Sequence, residues 1–315
     1  MYVIMGATGH VGSATARALL APGHAVTILT RNATHATEWH ARGAQIVEAD
    51  AENVESLRAA FRLGRRAFIL NPPAAPSTDT DAVERRTVAN ILAALDGSGL
   101  EKIVVQSTAG AQPGERIGDL SVLWELEEGL SNQSIPAAIN RGAYYMSNWD
   151  SLLDTVRETG KLPTLFPADL AFPMVAPRDL GEVAAARLLS SVDDIGVRNV
   201  QGPRLYSPND VAQAFSQALG RPVEVHVIPR DQWESTFQSL GFSLAAAQSY
   251  ARMSAVSLDS GFDVGDDALH GTTTLEAYIQ ALVQKQRAGS ARIKECRNGA
   301  AMDGKLRRSF FLFPA

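Results

Sequence analysis

Three glycines at three-residue intervals, Gly6, Gly9 and Gly12, follow a short apolar run, Tyr2-Val3-Ile4-Met5, and precede an Ala-rich stretch that begins at Ser13. The order is strand, glycine turn, helix, and it can hold the pyrophosphate of a dinucleotide. Gly6 lets the chain turn sharply out of the strand. Gly9 removes a side chain where phosphate must meet backbone, and Gly12 lets the helix pack closely on the sheet. The helix N-terminus then offers N–H groups and partial positive charge. The expected cradle is the whole loop, Gly6-Ala7-Thr8-Gly9-His10-Val11-Gly12. Glycines also punctuate ordinary turns, so the bland alternative is a strand-to-helix turn with no ligand. The flanking strand and helix favour the cradle.

The next informative position follows the second strand. An Asp or Glu there would take the ribose 2′-hydroxyl of NAD. The chain has Thr30-Arg31-Asn32 instead. A carboxylate would repel a 2′-phosphate, whereas a guanidinium can pair with it through a planar fork. Arg31 thus favours NADP(H), against the alternative of a solvated loop arginine. Asp50 could accept from the adenine amino group, or it could cap the helix at Asn53. Asn71 and Pro72 would lie under the nicotinamide ribose, or simply terminate a strand. Ser107 could hydrogen-bond the carboxamide or the substrate, or be a plain strand-end hydroxyl. Tyr144, Tyr145, Asn148 and Trp149 form the expected substrate segment. Its aromatic members suit a flat apolar acceptor, and the alternative for them is a packed lobe core.

Regular elements must bring these residues together. Strand-like runs near residues 25–29, 45–49, 66–70, 102–106 and 137–140 follow the first strand, and helical stretches separate them. Six strands alternating with helices imply an α/β fold, a Rossmann-type doubly wound parallel sheet. Right-handed crossovers put all strand ends on one edge, and the residues above lie there. Ser207-Pro208-Asn209-Asp210 reads as a helix start and Gly220 as its stop. The expected organisation is a nucleotide-binding domain over 1–143, then a mixed region over 144–286. That region supplies a smaller, mostly helical substrate lobe and elements returning to the sheet. A C-terminal extension over 287–315 ends in Ser309-Phe310-Phe311-Leu312-Phe313-Pro314-Ala315 and shows no clear period.

Composition narrows the function classes. The net charge of −5 and the lack of a basic stripe speak against nucleic acid. No apolar run approaches ~18 residues, so no membrane span is expected. The N-terminus reads as a core strand and not as a secretory leader. Cys296 is the single cysteine and can form no internal disulfide, which fits a reducing cytoplasm. The six histidines show no metal-ligand spacing, so no metal is expected.

Together these residues resemble the NmrA-like family of atypical short-chain dehydrogenases/reductases, over about residues 1–280. The resemblance rests on the G-x-x-G-x-x-G loop at Gly6–Gly12, on Leu29-Thr30-Arg31-Asn32, on Gln106-Ser107-Thr108-Ala109-Gly110 and on the run from Asn140 to Asn148. That run is similar to the family's Arg-Pro-Gly-x-Phe-Met-x-Asn segment, with Gly142 and Ala143 replacing the usual Pro and Gly. The family contains NAD(P)H-dependent quinone, dye and azo reductases, and also cofactor-sensing proteins. The Tyr-x-x-x-Lys pair of ordinary short-chain dehydrogenases is missing: Tyr144, Tyr145, Tyr206, Tyr250 and Tyr278 have no Lys four residues later. An alcohol dehydrogenase mechanism, which needs a positioned acid/base, is disfavoured. Quinone reduction is more forgiving, with protons from solvent or a tyrosine, and no side chain is assigned to catalysis. The expectation is an NADPH-dependent reductase of quinone-like or other flat conjugated acceptors, by direct hydride transfer without a Tyr-Lys dyad. The alternative is a non-catalytic NADP(H)-sensing regulator, and only that reading calls for a protein partner. A homodimer is left open.

Overall fold

The computed structural model describes residues 1–299, apart from Asp263 and Asp266. The first half alternates β1 (Tyr2–Ile4), α1 (His10–Leu20), β2 (Val26–Thr30), α2 (Thr37–Ala41), β3 (Gln45–Glu48) and α3 (Val54–Phe61). It continues with β4 (Arg66–Ile69), α4 (Thr80–Leu95), β5 (Lys102–Thr108), α5 (Asp119–Ser131) and β6 (Ala137–Gly142). The second half begins with β7 (Tyr144–Tyr145), α6 (Leu153–Thr159), β8 (Lys161–Thr164), β9 (Phe172–Val175), α7 (Pro177–Leu189) and β10 (Gly196–Gln201). It ends with β11 (Leu205–Tyr206), α8 (Pro208–Leu219), β12 (Glu224–Val227), α9 (Trp233–Ser239), α10 (Leu244–Ser260), β13 (Leu269–His270) and α11 (Leu275–Gly299).

Eight strands form one sheet in the order β13-β10-β6-β5-β4-β1-β2-β3, and every pairing in it is parallel. This is a doubly wound sheet, and β1 lies between β2 and β4, where the winding reverses. Ligands bind such sheets at that reversal, beyond the carboxyl ends of the strands. Successive side chains along a strand face opposite ways. On β5, Ile103 and Val105 join α3, α4 and α5 in one core, whereas Val104 joins α1 and α7 in the other. The α1–α7 contact is close because Gly181 stands where a Cβ would collide with Ala14 and the Thr15 backbone.

The lobe has its own aromatic core, with Met146, Trp149, Phe166, Phe172, Tyr206 and Phe215 among its members. A second cluster joins α9 and α10 through Trp233, Phe237, Phe242 and Tyr250. The helix start at Ser207 is a capping box with Asp210, Pro208 is in the first turn, and Gly220 closes α8 at φ +71°. Two small sheets, β11-β9-β7 and β12-β8, complete the lobe. Pro163 and Pro173 disguise β8 and β9 in the sequence, because proline removes a ladder donor and argues against a strand. The central sheet also gains β10 and β13 beyond the six strands expected. β10 is mostly exposed and β13 has two residues, so neither carries a strong pattern. The helical backbone of α11 runs to Gly299, into the stretch that shows no period in sequence. The aromatic terminus at 309–315 lies outside the described residues.

Candidate functional site

The glycine turn leaves β1 at Gly6, whose φ of +66° only glycine adopts without strain. Gly9 donates its N–H to the Gly6 carbonyl at 2.9 Å. A Cβ on Gly12 would collide with that same carbonyl, so Gly12 is required by the fold itself. Gly9 differs: a Cβ there would meet only the Gly6 oxygen, at 3.4 Å. The protein leaves room for a side chain at Gly9, so packing within the fold does not require glycine there. The first turn of α1, opened by His10 and Val11, has no side-chain cap and no acidic residue. Asn53, Asp79, Ser207 and Ser243 cap α3, α4, α8 and α10, whereas α2, α5, α6, α7 and α9 share with α1 the lack of a side-chain cap. An uncapped N-terminus facing a glycine cradle fits a pyrophosphate.

Arg31, just beyond β2, is exposed and makes no hydrogen bond or ion pair among the described residues. Its neighbour Asn32 caps the short 3₁₀ turn Ala33–Ala36. The fold also brings an acid that the local sequence does not show. Glu48 at the end of β3 accepts from Ala33 N–H at 3.0 Å, two residues from Arg31. Asp50 is exposed and accepts from Glu52 N–H at 3.0 Å. The cap of α3 is Asn53, which accepts from Ser56 N–H, so Asp50 does not play that part.

Two expected site residues are spent elsewhere. Asn71 is buried, donates to the Glu84 carbonyl at 3.2 Å and accepts from Thr87 at 2.7 Å, tying β4 to α4. Pro72 follows it, half-buried at the strand exit. Ser107 is 1% exposed and donates to Glu127, which also holds Arg141 in a bidentate pair. Ser107 shares the parity of Ile103 and Val105, so it faces α5. Thr108, one residue on, reaches the cleft instead.

That cleft measures about 140 Å³ and opens at the ends of β5 and β6. Gly110, Asp119 and Leu123 form one side, and Tyr144, Tyr145 and Asn148 another. Met253, Ser257 and Phe262 cover it from the α10 side. Tyr144 stands edge-on to Phe166 and Phe172, with ring centroids 5.7 and 5.3 Å away. Trp149 is 2% exposed and does not line the cleft; it packs in the lobe core against Tyr144. Burial pushes the hydroxyls of Tyr144 and Tyr145 well above the usual tyrosine range. For Tyr145 the charge of Asp119 adds to the effect, while a hydrogen bond with Gln106 opposes it. Both stay protonated at neutral pH and are poor acids. No group of three or more His, Cys, Asp or Glu suited to a metal occurs among the described residues. No described helix is long and apolar enough to cross a membrane.

A parallel doubly wound sheet with a glycine turn at its reversal point and an aromatic cleft at the same edge defines a nucleotide-fold protein with a small-molecule pocket. The NmrA-like family model matches residues 2–279, and the chain belongs to that family. The chain is 26% identical over 249 residues to an NAD(P)H azoreductase of Xenophilus azovorans, covering 78% of this chain and 84% of the relative. It is 27% identical over 282 residues to the nitrogen metabolite regulation-like protein bik4 of Gibberella fujikuroi, covering 79% and 83%. The fold is shared with the NADPH-dependent quinone oxidoreductase QOR2 of Escherichia coli, solved with NADPH. The TM-score is 0.73 at 20% identity, with 90% of this chain and 99% of that one covered.

Proposed function

We propose that the chain is an NADPH-dependent reductase of flat conjugated acceptors, quinone-like or dye-like. The observation that carries this reading is the uncapped glycine turn opening on the same sheet edge as a cleft walled by Tyr144 and Tyr145. The azoreductase and the quinone oxidoreductase, both named for NAD(P)H-dependent reduction of conjugated acceptors, support it. When bound, the cofactor supplies a hydride from its nicotinamide ring. Gly6, Ala7, Thr8, Gly9, His10, Val11 and Gly12 cradle the pyrophosphate, and Arg31 holds the 2′-phosphate. Asp50 stands at the adenine end, and Asn71 and Pro72 border the ribose through backbone, because the Asn71 amide is committed to α4. Tyr144, Tyr145 and Asn148 hold the acceptor ring. Catalysis is then mainly positioning of a ring already prone to accept hydride.

The likeness to a regulation-like protein supports a second reading, a cofactor-sensing regulator that turns nothing over. Calorimetry with NADPH, followed by stopped-flow NADPH oxidation against a panel of quinones and azo dyes, separates the two. The reductase reading expects tight NADPH binding and hydride transfer to at least one acceptor. Bound NADPH with no transfer across the panel would overturn it in favour of the regulator.

A further inference from the structure

Asp119 opens α5 directly after Gly118, which sits at φ +56°. Its side chain is half-buried and lines the cleft beside Thr108, Tyr145 and Asn148. The carboxyl has no hydrogen bond and no ion pair among the described residues. Buried polar groups are normally satisfied, so an unpaired carboxyl facing a cavity calls for a role. The groups around it explain the lack of a partner. Asp81 and Glu84 come from α4, Tyr145 from β7 and Tyr250 from α10. The nearby cations are engaged elsewhere: Arg85 pairs with Glu125 and lies 3.7 Å from Asp81, and Arg116 holds Asp79 at 3.1 Å. Asp119 is left among acids and phenols with the cleft as its outlet.

We propose that Asp119 donates the proton that accompanies hydride transfer to the acceptor. The inference rests on the reductase reading and supplies the acid which that reading lacks. The balance is simple. Two electrons and one hydrogen reach the acceptor as hydride from NADPH, leaving NADP⁺. The Asp119 O–H bond breaks, its proton joins the acceptor oxygen or nitrogen, and the carboxylate regains a proton from water at the cleft mouth. Burial first, and then the negative charge of Asp81, raise the Asp119 pKa to about 6. That lies near the working range of a general acid, whereas the cleft tyrosines hold their protons too tightly.

The test uses the full chain and the Asp119→Asn and Asp119→Glu variants. Difference infrared spectroscopy of the cofactor-free protein should show carboxylic acid intensity titrating near pH 6 from both Asp119 and Asp150, and Asp119→Asn should lose the Asp119 share and keep the rest. With NADPH and a small quinone or azo dye, wild-type kcat/KM should fall about tenfold per pH unit above that pKa. Asp119→Asn should lose this limb and be ~100-fold slower at pH 5.5, the scale of one general acid. Its NADPH affinity should be unchanged. Asp119→Glu should regain the limb at a lower rate. An Asn variant that keeps the wild-type rate and pH profile, or an infrared titration that is the same in wild type and Asp119→Asn, would overturn the proposal. A wild type that binds NADPH but reduces nothing fails the parent reading, and the proton-donor role falls with it. Wild type and variant would then be equally inactive, which distinguishes this result from the others.

Discussion

At the edge where the strands begin, Lys102 is fully buried, yet its ammonium donates to Ser190 Oγ at 2.9 Å and to the Ser191 carbonyl at 2.7 Å. Arg66 donates to the Leu188 and Ser190 carbonyls. Arg187 spreads its guanidinium over Ile139 O, Asn140 Oδ1 and Asp194. Asp194 serves Lys102, Arg187 and Arg198 together. Burial alone would raise its pKa, but hydrogen bonds from Ser190 and Arg187 and the nearby cations outweigh that and hold it low. At the edge where the strands end, the pattern reverses. Among the described residues the glycine turn has no side-chain cap, and neither Arg31 nor Asp119 has a partner. One edge saturates its charges and the other leaves them open. The saturated edge is where stability resides, and the open edge is where the proposed ligands would complete the unpaired groups.

The largest effect should come from the saturated edge. Asp194→Ala strands Lys102 and Arg187 without their counter-ion and should cost about 3–5 kcal/mol in denaturant unfolding. NADPH affinity, measured below the lowered midpoint, should not change. A small stability loss would break the comparison. Next, Gly9→Val fills the approach to the α1 N-terminus without touching the core. NADPH binding should weaken at least ~100-fold, about 2.7 kcal/mol by calorimetry, with native circular dichroism. Retained binding would place the nucleotide elsewhere.

Arg31→Ala should weaken NADPH by roughly 1.5–3 kcal/mol, the scale of a charge-assisted hydrogen bond, and NADH far less. Equal affinities of the parent protein for both cofactors would remove Arg31 from the site, and Glu48 would then be the group to examine. The smallest effect concerns Glu84. Burial first, and then the charge of Asp119, raise its pKa to about 8 from an ordinary 4.5. The unfolded chain therefore loses this proton before the folded one does. The stability that the raised pKa contributes is present below about pH 4.5 and is lost as pH rises towards 8. Glu84→Gln keeps the acceptor for Ala74 N–H and should flatten that decline. Its melting temperature at pH 8.5, relative to pH 5, should exceed that of wild type by at least about 2 °C, the scale of roughly 1 kcal/mol in a chain this size.

Much of the frame follows from local chemistry. The three glycines, the apolar run of β5 and the Ser207–Gly220 signals of α8 are set by neighbours within a few residues, so they are legible in the sequence. The strand, glycine turn and helix start at Gly6–Gly12 are legible for the same reason, since they are contiguous. Tertiary structure decided the rest, because it depends on groups far apart in the chain. Nothing local tells that β10, mostly exposed, will pair with β6, or that Glu48 will reach Ala33. Ser107 turns away from the cleft through the register of β5 against α5, which puts Glu127 at its hydroxyl. Trp149 packs in the core and Tyr144 lines the cleft, although they stand only five positions apart, because one faces the lobe interior. Asp119 is an ordinary helix-start acid in sequence. Its lack of a partner among the described residues arises only when α4 and α10 fold over it while Arg85 and Arg116 are held by Glu125 and Asp79, since pairing is a property of three-dimensional neighbours and not of spacing along the chain.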